Sequence, residues 1–422
     1  MVLPSASAAP LSTPPPASSP RRIVVVGTSL AGLRGAEQLR RAGFRGELHM
    51  VGREPHFPPY DRPPLSKEVL SGERGLAEAR LRVFTELDAV IRPGRNAIGL
   101  DVAGREVRLD DETALGFDGL LIATGASVRV LRCAGADLPG VYYFRTAEDC
   151  AALQARLTPG TRAVIVGAGF IGSEVASVAR RRGVAVTLVD SAELPMAPQV
   201  GEAVAGYLLA QHERHGVTVR LGVGVSGIEG DGHAEGVRLA DGTVIPADVV
   251  VVGVGVAPGT SWLEGSGLTL ADGVVCDEHC RAAGGRSIVA AGDVARWRNP
   301  RYGLLMRVEH WTNAVEQAEY AAGTLLRGPD GRPGYAPVPY FWSGQYDMHL
   351  QFAGATGTET VLAEGSIEDG QFVMLNRADG RDVGVIAVNW PARFGRHRRR
   401  LAQDAVAPEA MIQAAQAGDP VA

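Results

Sequence analysis

One layout occurs twice in this chain, and it limits the possible folds more than any other feature. "IVVVGTSLAG", Ile23 to Gly32, is a short apolar run that breaks into small residues. "AVIVGAGFIGSEVASVARRRGVAVTLVD", Ala163 to Asp190, repeats it as apolar strand, glycine loop, helix-period residues, second apolar strand and acid. Strands alternating with a helix in this order build a parallel sheet covered by helices. Two copies predict an α/β chain with two such units.

The second copy holds the full G-x-G-x-x-G spacing in Gly167, Gly169 and Gly172, with Phe170 and Ile171 inside the loop. The first glycine of such a loop permits a tight turn, the second lets backbone approach a pyrophosphate, and the third lets helix pack on strand. Ile171, Val175 and Val178 recur at helical spacing, and Asp190, 23 residues after Gly167, is placed to bond a ribose hydroxyl. In the first copy Gly27 and Gly32 take the outer roles, Leu30 and Ala31 fill the loop, and Ser29 stands where the second glycine belongs. Leu30, Leu33, Ala36 and Leu39 form its inward helix face, and the strand in "ELHMVGRE" leads to a candidate acid, Glu54, beside Arg53. Two units imply two bound dinucleotides.

Three further stretches fit that plan. "LLIATGA" ends a strand on Ala123, Thr124 and Gly125, and "VVVVGVGVAPG" ends one around Gly255. Small residues suit places where backbone passes close to a cofactor. "IVAAGDVARW" ends a strand on Gly292 and Asp293, and an acid at the carboxyl end of a parallel strand faces the ligand crevice.

Composition removes other classes. A length of 422 residues predicts two to four domains, and 45% hydrophobic with 21% charged residues describes a globular chain. The longest apolar run, Val249 to Ala257, is about half the length a membrane-spanning helix needs. A net charge of -5 gives no general attraction for nucleic acid. Cys133, Cys150, Cys276 and Cys280 are too few for a disulfide framework, which points to a reducing cytoplasm, and no His/Cys cluster completes a metal site around Cys276 and Cys280. Residues 1–20, rich in Pro, Ala and Ser, read as a disordered tail. Arg21 and Arg22 lead into a strand rather than a cleavable export signal.

Of 42 Lys and Arg residues, only Lys67 is lysine. In so arginine-biased a chain, a lone lysine points to a task that needs a compact ammonium on a flexible stem. It ends "YDRPPLSK", Tyr60 to Lys67, a loop stiffened by Pro63 and Pro64.

Taken together, "YDRPPLSK", "GAGFIGSE", "AAGDVARW", "RVEHWTNAVEQA" (Arg307 to Ala318) and "YFWSGQYD" (Tyr340 to Asp347) resemble the FAD-dependent, NADH-oxidising ferredoxin reductases of bacterial oxygenase systems, the putidaredoxin reductase and dioxygenase ferredoxin reductase family. The resemblance runs from about Arg21 to the C-terminus. It implies a glutathione-reductase-like fold with a discontinuous FAD domain (21–127 and 257–330), an inserted NADH domain (128–256) and a C-terminal α+β domain (331–422) that covers the flavin. Noncovalent FAD would meet the Gly27 to Gly32 loop, Arg53 or Glu54 at the ribose, Arg62, Lys67, Ala97 near the adenine, Arg145, Asp293 and Trp311. NADH would meet the Gly167 to Gly172 loop, Asp190, and Glu174 and Glu309 near the nicotinamide. Lys67, Glu174 and Glu309 become the candidate catalytic residues, and His310 is the histidine inside a named motif.

The resemblance also implies an iron-sulfur ferredoxin of 2Fe-2S or similar type as partner, with an oxygenase downstream. It implies a cytoplasmic monomer or weak homodimer that engages neither membrane nor nucleic acid. Two alternatives share the double-nucleotide plan: a disulfide reductase, and a flavin-bound signalling protein like the apoptosis-inducing flavoproteins. The run "PARFGRHRRR", Pro391 to Arg400, reads either as a ferredoxin-docking patch or as a solvated helix face.

Overall fold

The computed structural model describes residues 20–403, so the tail reading falls outside the described residues except at Pro20. The first unit is a five-stranded parallel sheet in the order Ile288–Ala290, Gly119–Ile122, Arg22–Val26, Glu47–Gly52, Val90–Pro93. The second repeats it with Val141–Tyr143, Val249–Val252, Arg162–Val166, Ala185–Val189 and Thr218–Arg220. Central strands such as Gly119–Ile122 and Val249–Val252 are buried at every position, which is why they read as unbroken apolar runs.

In the first unit the helix Leu30–Arg41 buries Leu33, Ala36 and Leu39 completely and Leu30 in part. Its other side packs on the helix Trp311–Arg327, where Gly35 meets Ala318 and the absence of side-chain bulk brings the two helices close. The matching helix of the second unit, Phe170–Arg181, buries Val175 and Val178. Ile171 departs from the expected stripe. It is 45% exposed, whereas Phe170 beside it packs against the buried cluster that holds Met196 and Phe372.

The chain leaves the first unit through Ala126–Val128 and returns through Val256–Pro258, two strands paired antiparallel. Tyr340–Gln345, Met348–Gly354, Arg381–Val388, Gln371–Ala378 and Glu359–Ser366 then form an antiparallel sheet in that order. Alternation along its strands gives it two buried faces. Val373, Leu375 and Val385 pack under Phe394 and Leu401 of the helix Pro391–Gln403. Phe372, Met374 and Ile386 pack on Met196, Val200, Val204 and Leu208 of the second unit. The strand Tyr340–Gln345 also touches the helices Phe170–Arg181 and Trp311–Arg327, one from each unit, so the C-terminal sheet closes over the seam between the two nucleotide units. No helix among the described residues is long and apolar enough to cross a membrane.

Candidate active site

Backbone geometry separates the roles of the three loop positions. Gly27 and Gly167 lie at φ +115° and +103°, and a Cβ on either would overlap a carbonyl oxygen, that of Ala123 or Gly253. A Cβ on Gly32 or Gly172 would likewise overlap the carbonyl of Gly27 or Gly167. The middle position differs. Ser29 has φ -79° and ψ -160°, Gly169 has φ -74° and ψ -176°, and any residue adopts this extended conformation. The serine therefore leaves the first loop intact.

Neither Ser29 nor Gly169 caps its helix with a side chain, so the first-turn N–H groups, Leu30, Ala31, Phe170 and Ile171 among them, remain available to an anion. The space above Gly169 is open. Both loops thus fit a dinucleotide pyrophosphate.

The acids differ between the units. Gly27 N–H donates to the Val51 carbonyl and Gly167 N–H to that of Val189, so Gly52 is the counterpart of Asp190. Asp190 accepts 2.8 Å bonds from Ala168 N–H and Ala192 N–H, which fix its carboxylate beside the second loop. At Gly52 the Thr28 side chain fills the space a larger residue would need. Glu54 lies two residues farther on, paired with Arg62 and bonded by the Tyr60 hydroxyl, whereas Arg53 is exposed. Arg62 donates to the Arg145 carbonyl at 2.8 Å, and Arg145 pairs with Asp293 at 3.0 Å. Glu54, Arg62, Arg145 and Asp293 form a chain of two arginines with an acid at each end, and Arg145 Nε is buried without a partner among the described residues. An orphaned buried donor in an ionic chain suits a bound anion.

The small-residue stretches surround this region. Ala123 N–H donates to Val26, Thr124 Oγ donates to the Gly259 carbonyl at 2.7 Å, and Gly125 and Gly255 have positive φ. Gly292, at φ +77°, donates to Gln317 and lies against Ala31. Ala97 begins a strand packed on the first core.

Three segments meet at Glu174. On the helix Phe170–Arg181 its side chain is 3% exposed. Lys67 Nζ (2.6 Å) and Ser66 Oγ (2.5 Å) donate to Oε2, and Ser343 Oγ donates to Oε1 at 2.6 Å. Lys67 thus reaches across from the proline loop to the second unit, a task that the length and flexibility of its stem allow. The structure does not bring Glu309 into this cluster; Glu309 pairs with Arg307, which also holds Asp272.

Aromatic residues line the neighbourhood. Phe170 meets Phe341 edge-on at 4.8 Å, and His310 lies 5.0 Å from Phe341 with Nδ1 buried and without a partner among the described residues. Burial pushes the His310 pKa down to about 4 and so keeps the ring neutral. Trp311 Nε1 donates to Asp61 at 2.7 Å and packs edge-on against Trp342. Ser66, Asp61, Ser343, Phe341 and Trp342 were not singled out from the sequence. All lie inside the "YDRPPLSK" and "YFWSGQYD" segments, so the signal marked the segment without saying which side chains meet.

None of the four thiols is activated. Cys276 and Cys280 are buried, free and pushed up by desolvation, Cys150 is raised to about 11 by burial, and Cys133 is also raised. No group of His, Cys, Asp or Glu among the described residues could hold a metal ion.

Residues 21–318 match the family described as pyridine nucleotide-disulphide oxidoreductase, and residues 340–420 match the one described as reductase C-terminal. The chain belongs to the pyridine nucleotide-disulphide oxidoreductase family. Within it, the chain is 39% identical to rhodocoxin reductase of Rhodococcus erythropolis, over 90% of each sequence. It is 36% identical to the ferredoxin reductase component of chlorobenzene dioxygenase from a Cupriavidus species, over 92% and 94%. The solved complex of putidaredoxin reductase with putidaredoxin superposes with a TM-score of 0.86 at 30% identity, covering 95% of this chain and 100% of that one. A NAD-dependent persulfide reductase from A. fulgidus, at 20% identity and a TM-score of 0.81, shares the fold alone. These relatives put the chain in the ferredoxin reductase branch of the oxidoreductase family.

Proposed function

We propose that this protein is an NADH-dependent ferredoxin reductase that takes hydride from NADH onto noncovalent FAD and passes single electrons to an iron-sulfur ferredoxin. That ferredoxin feeds a haem-thiolate monooxygenase or a ring-hydroxylating dioxygenase. The observation that carries this reading is the pair of glycine-loop helix N-termini, one in each unit, with the Lys67–Glu174 ion pair joining the two units. FAD, when bound, supplies the conversion of a two-electron donor into single electrons.

The chain's own residues do the rest. The Gly27 to Gly32 and Gly167 to Gly172 loops present N–H groups to the two pyrophosphates, and the Glu54–Arg62–Arg145–Asp293 chain flanks the first. Lys67 and Glu174 place a fixed charge pair at the seam. Phe170, Phe341 and Trp311, the last held by Asp61, exclude water. Four free cysteines are in keeping with a cytoplasmic setting. Anaerobic NADH should bleach the visible absorbance of the purified yellow protein, and the reduced protein should then reduce ferredoxin. A flavin-bound signalling role predicts slow NADH turnover with every ferredoxin offered.

NADH should be preferred to NADPH by on the order of ten- to hundredfold in kcat/KM, because the Asp190 carboxylate repels a 2′-phosphate. Ser191 and Ala192 follow it and offer no cation. Asp190→Ser with Ala192→Arg should shift the preference toward NADPH, and equal turnover of both nucleotides by the natural chain would refute this role.

Replacing all four cysteines is expected to leave NADH-to-ferricyanide turnover within about twofold, since none is activated as a thiolate. Alanine is the suitable replacement at Cys276 and Cys280, which are buried in the first core, where a hydroxyl costs more than a methyl group. Lost turnover with flavin bound and fold intact would revive a disulfide reductase.

A further inference from the structure

The Glu174 carboxylate has two oxygens, and different domains hold them. Oε2 receives Ser66 and Lys67 from the proline loop, and among the described residues Oε1 receives only Ser343, from the strand Tyr340–Gln345 of the C-terminal sheet. Ser343 is fully buried, and its single proton is committed to Glu174 while Gln345 Nε2 donates to its oxygen at 3.3 Å. The same strand continues along the same helix. Three residues on, Tyr346 N–H donates to Ser177 Oγ at 2.6 Å, and the Tyr346 hydroxyl meets His212 Nδ1 at 2.8 Å.

We propose that Ser343 is a positioning residue for hydride transfer, acting from the C-terminal domain by fixing the rotation of the Glu174 carboxylate and through it the place of the Lys67 ammonium. This inference rests on the reductase reading of the site.

Held at one oxygen only, a carboxylate can turn about its terminal torsion, which is broad and has no deep well of its own. A second donor on the opposite oxygen removes that freedom, and charge-assisted bonds are the strong ones. Ser343 therefore makes the Lys67–Glu174 geometry depend on the seating of the C-terminal sheet. Glu174 and Lys67 come from the second and first units, yet the bond that holds the far oxygen of the pair comes from that sheet.

The chain supplies its own reporter. Lys67 is the single lysine, so acetylation of the peptide that contains it, read by mass spectrometry on the holoenzyme, follows this ammonium alone. Contact with a fixed carboxylate at 2.6 Å shields the Lys67 amine from the acylating reagent. Ser343→Ala should raise its acetylation rate about three- to tenfold and slow flavin reduction by NADH, followed anaerobically without ferredoxin, by about five- to tenfold. Flavin content should not change, and Ser343→Thr, which restores the hydroxyl, should recover both values. Tyr346→Phe removes the hydroxyl that meets His212, a neighbouring contact between the C-terminal sheet and the second unit, without touching Glu174, and should leave both unchanged.

Acetylation that is unchanged or slower in Ser343→Ala, or unchanged flavin reduction, overturns the proposal. Equal effects in Tyr346→Phe also overturn it and assign them to packing of the seam. If the natural chain itself is not reduced by NADH, the reductase reading fails instead, whereas the acetylation comparison still reports on Ser343.

Discussion

Gly32→Ala is expected to yield a protein without flavin, whereas Gly172→Ala is expected to yield a yellow protein that NADH no longer reduces. Both substitutions add one methyl group, and in both the new Cβ overlaps a carbonyl oxygen of the preceding turn, Gly27 or Gly167. That oxygen belongs to backbone, and Gly27 and Gly167 are themselves locked at positive φ against the neighbouring strand. Relief therefore comes from moving the helix start away from the sheet. This displaces the N–H groups that face the pyrophosphate and costs on the order of 3–5 kcal/mol, in the range of severe core overpacking. In the first unit the displaced helix also packs on Trp311–Arg327, so the loss extends into the core. In the second unit the first cradle is untouched. Flavin content from the visible spectrum separates the two outcomes. Gly172→Ala should lose at least about a hundredfold in the rate of NADH bleaching while dithionite still bleaches it fully. Normal reduction by NADH in Gly172→Ala would remove the second loop from the mechanism.

Reversing Arg396 and Arg399 to glutamate is expected to slow reduction of the cognate ferredoxin by on the order of ten- to a hundredfold at low salt, with ferricyanide turnover unchanged. The run Pro391 to Arg400 presented five arginines in sequence, but the fold divides them. Arg393 and His397 share Glu364, and Arg400 lies 3.5 Å from Asp382, so part of the charge is neutralised within the domain. Arg398 lies over the Tyr340 ring at 4.5 Å. Tyr340 stacks on Trp342, and Trp342 meets Trp311 edge-on, so this end of the helix is joined by packed rings to Trp311. Arg396 and Arg399 are exposed on the same helix and are the clean positions for charge reversal. An acidic partner drawn to them would arrive close to that aromatic path. In the natural chain the rate should fall as salt screens the attraction, a dependence the double variant should lose, while hydride transfer should barely respond. If ferredoxin reduction keeps its rate and its salt dependence in the double variant, the docking face lies elsewhere.

The two nucleotide units were legible because their determinants are local. Gly27, Gly32, Gly167 and Gly172 are demanded by clashes within a few residues of chain or with the adjacent strand, and buried parallel strands leave unbroken apolar runs. Asp190 was legible for the same reason, since the end of its strand is set by register with Arg162–Val166. Glu54 shows where this reasoning stops. Counting along the strand reached the acid, whereas register puts Gly52 at the equivalent point and Thr28 in the space beside it.

Whatever depends on contacts between distant segments was decided only by the tertiary structure. Lys67 and Glu174 are 107 residues apart, and Ser343 lies 169 beyond Glu174, so no periodicity relates them. The separation of Glu309 from that cluster, the partial neutralisation of the arginine run and the burial of Cys276 and Cys280 have the same origin. Sequence by itself determined two glycine-loop units, a stiff loop carrying the chain's single lysine and a chain without the marks of a membrane span. Only the folded chain decided that the C-terminal sheet closes over the seam of those units and supplies the second bond to Glu174. A glycine loop is specified by sterics over a few residues, whereas a buried carboxylate is specified by whichever donors the packing of whole domains brings within 3 Å.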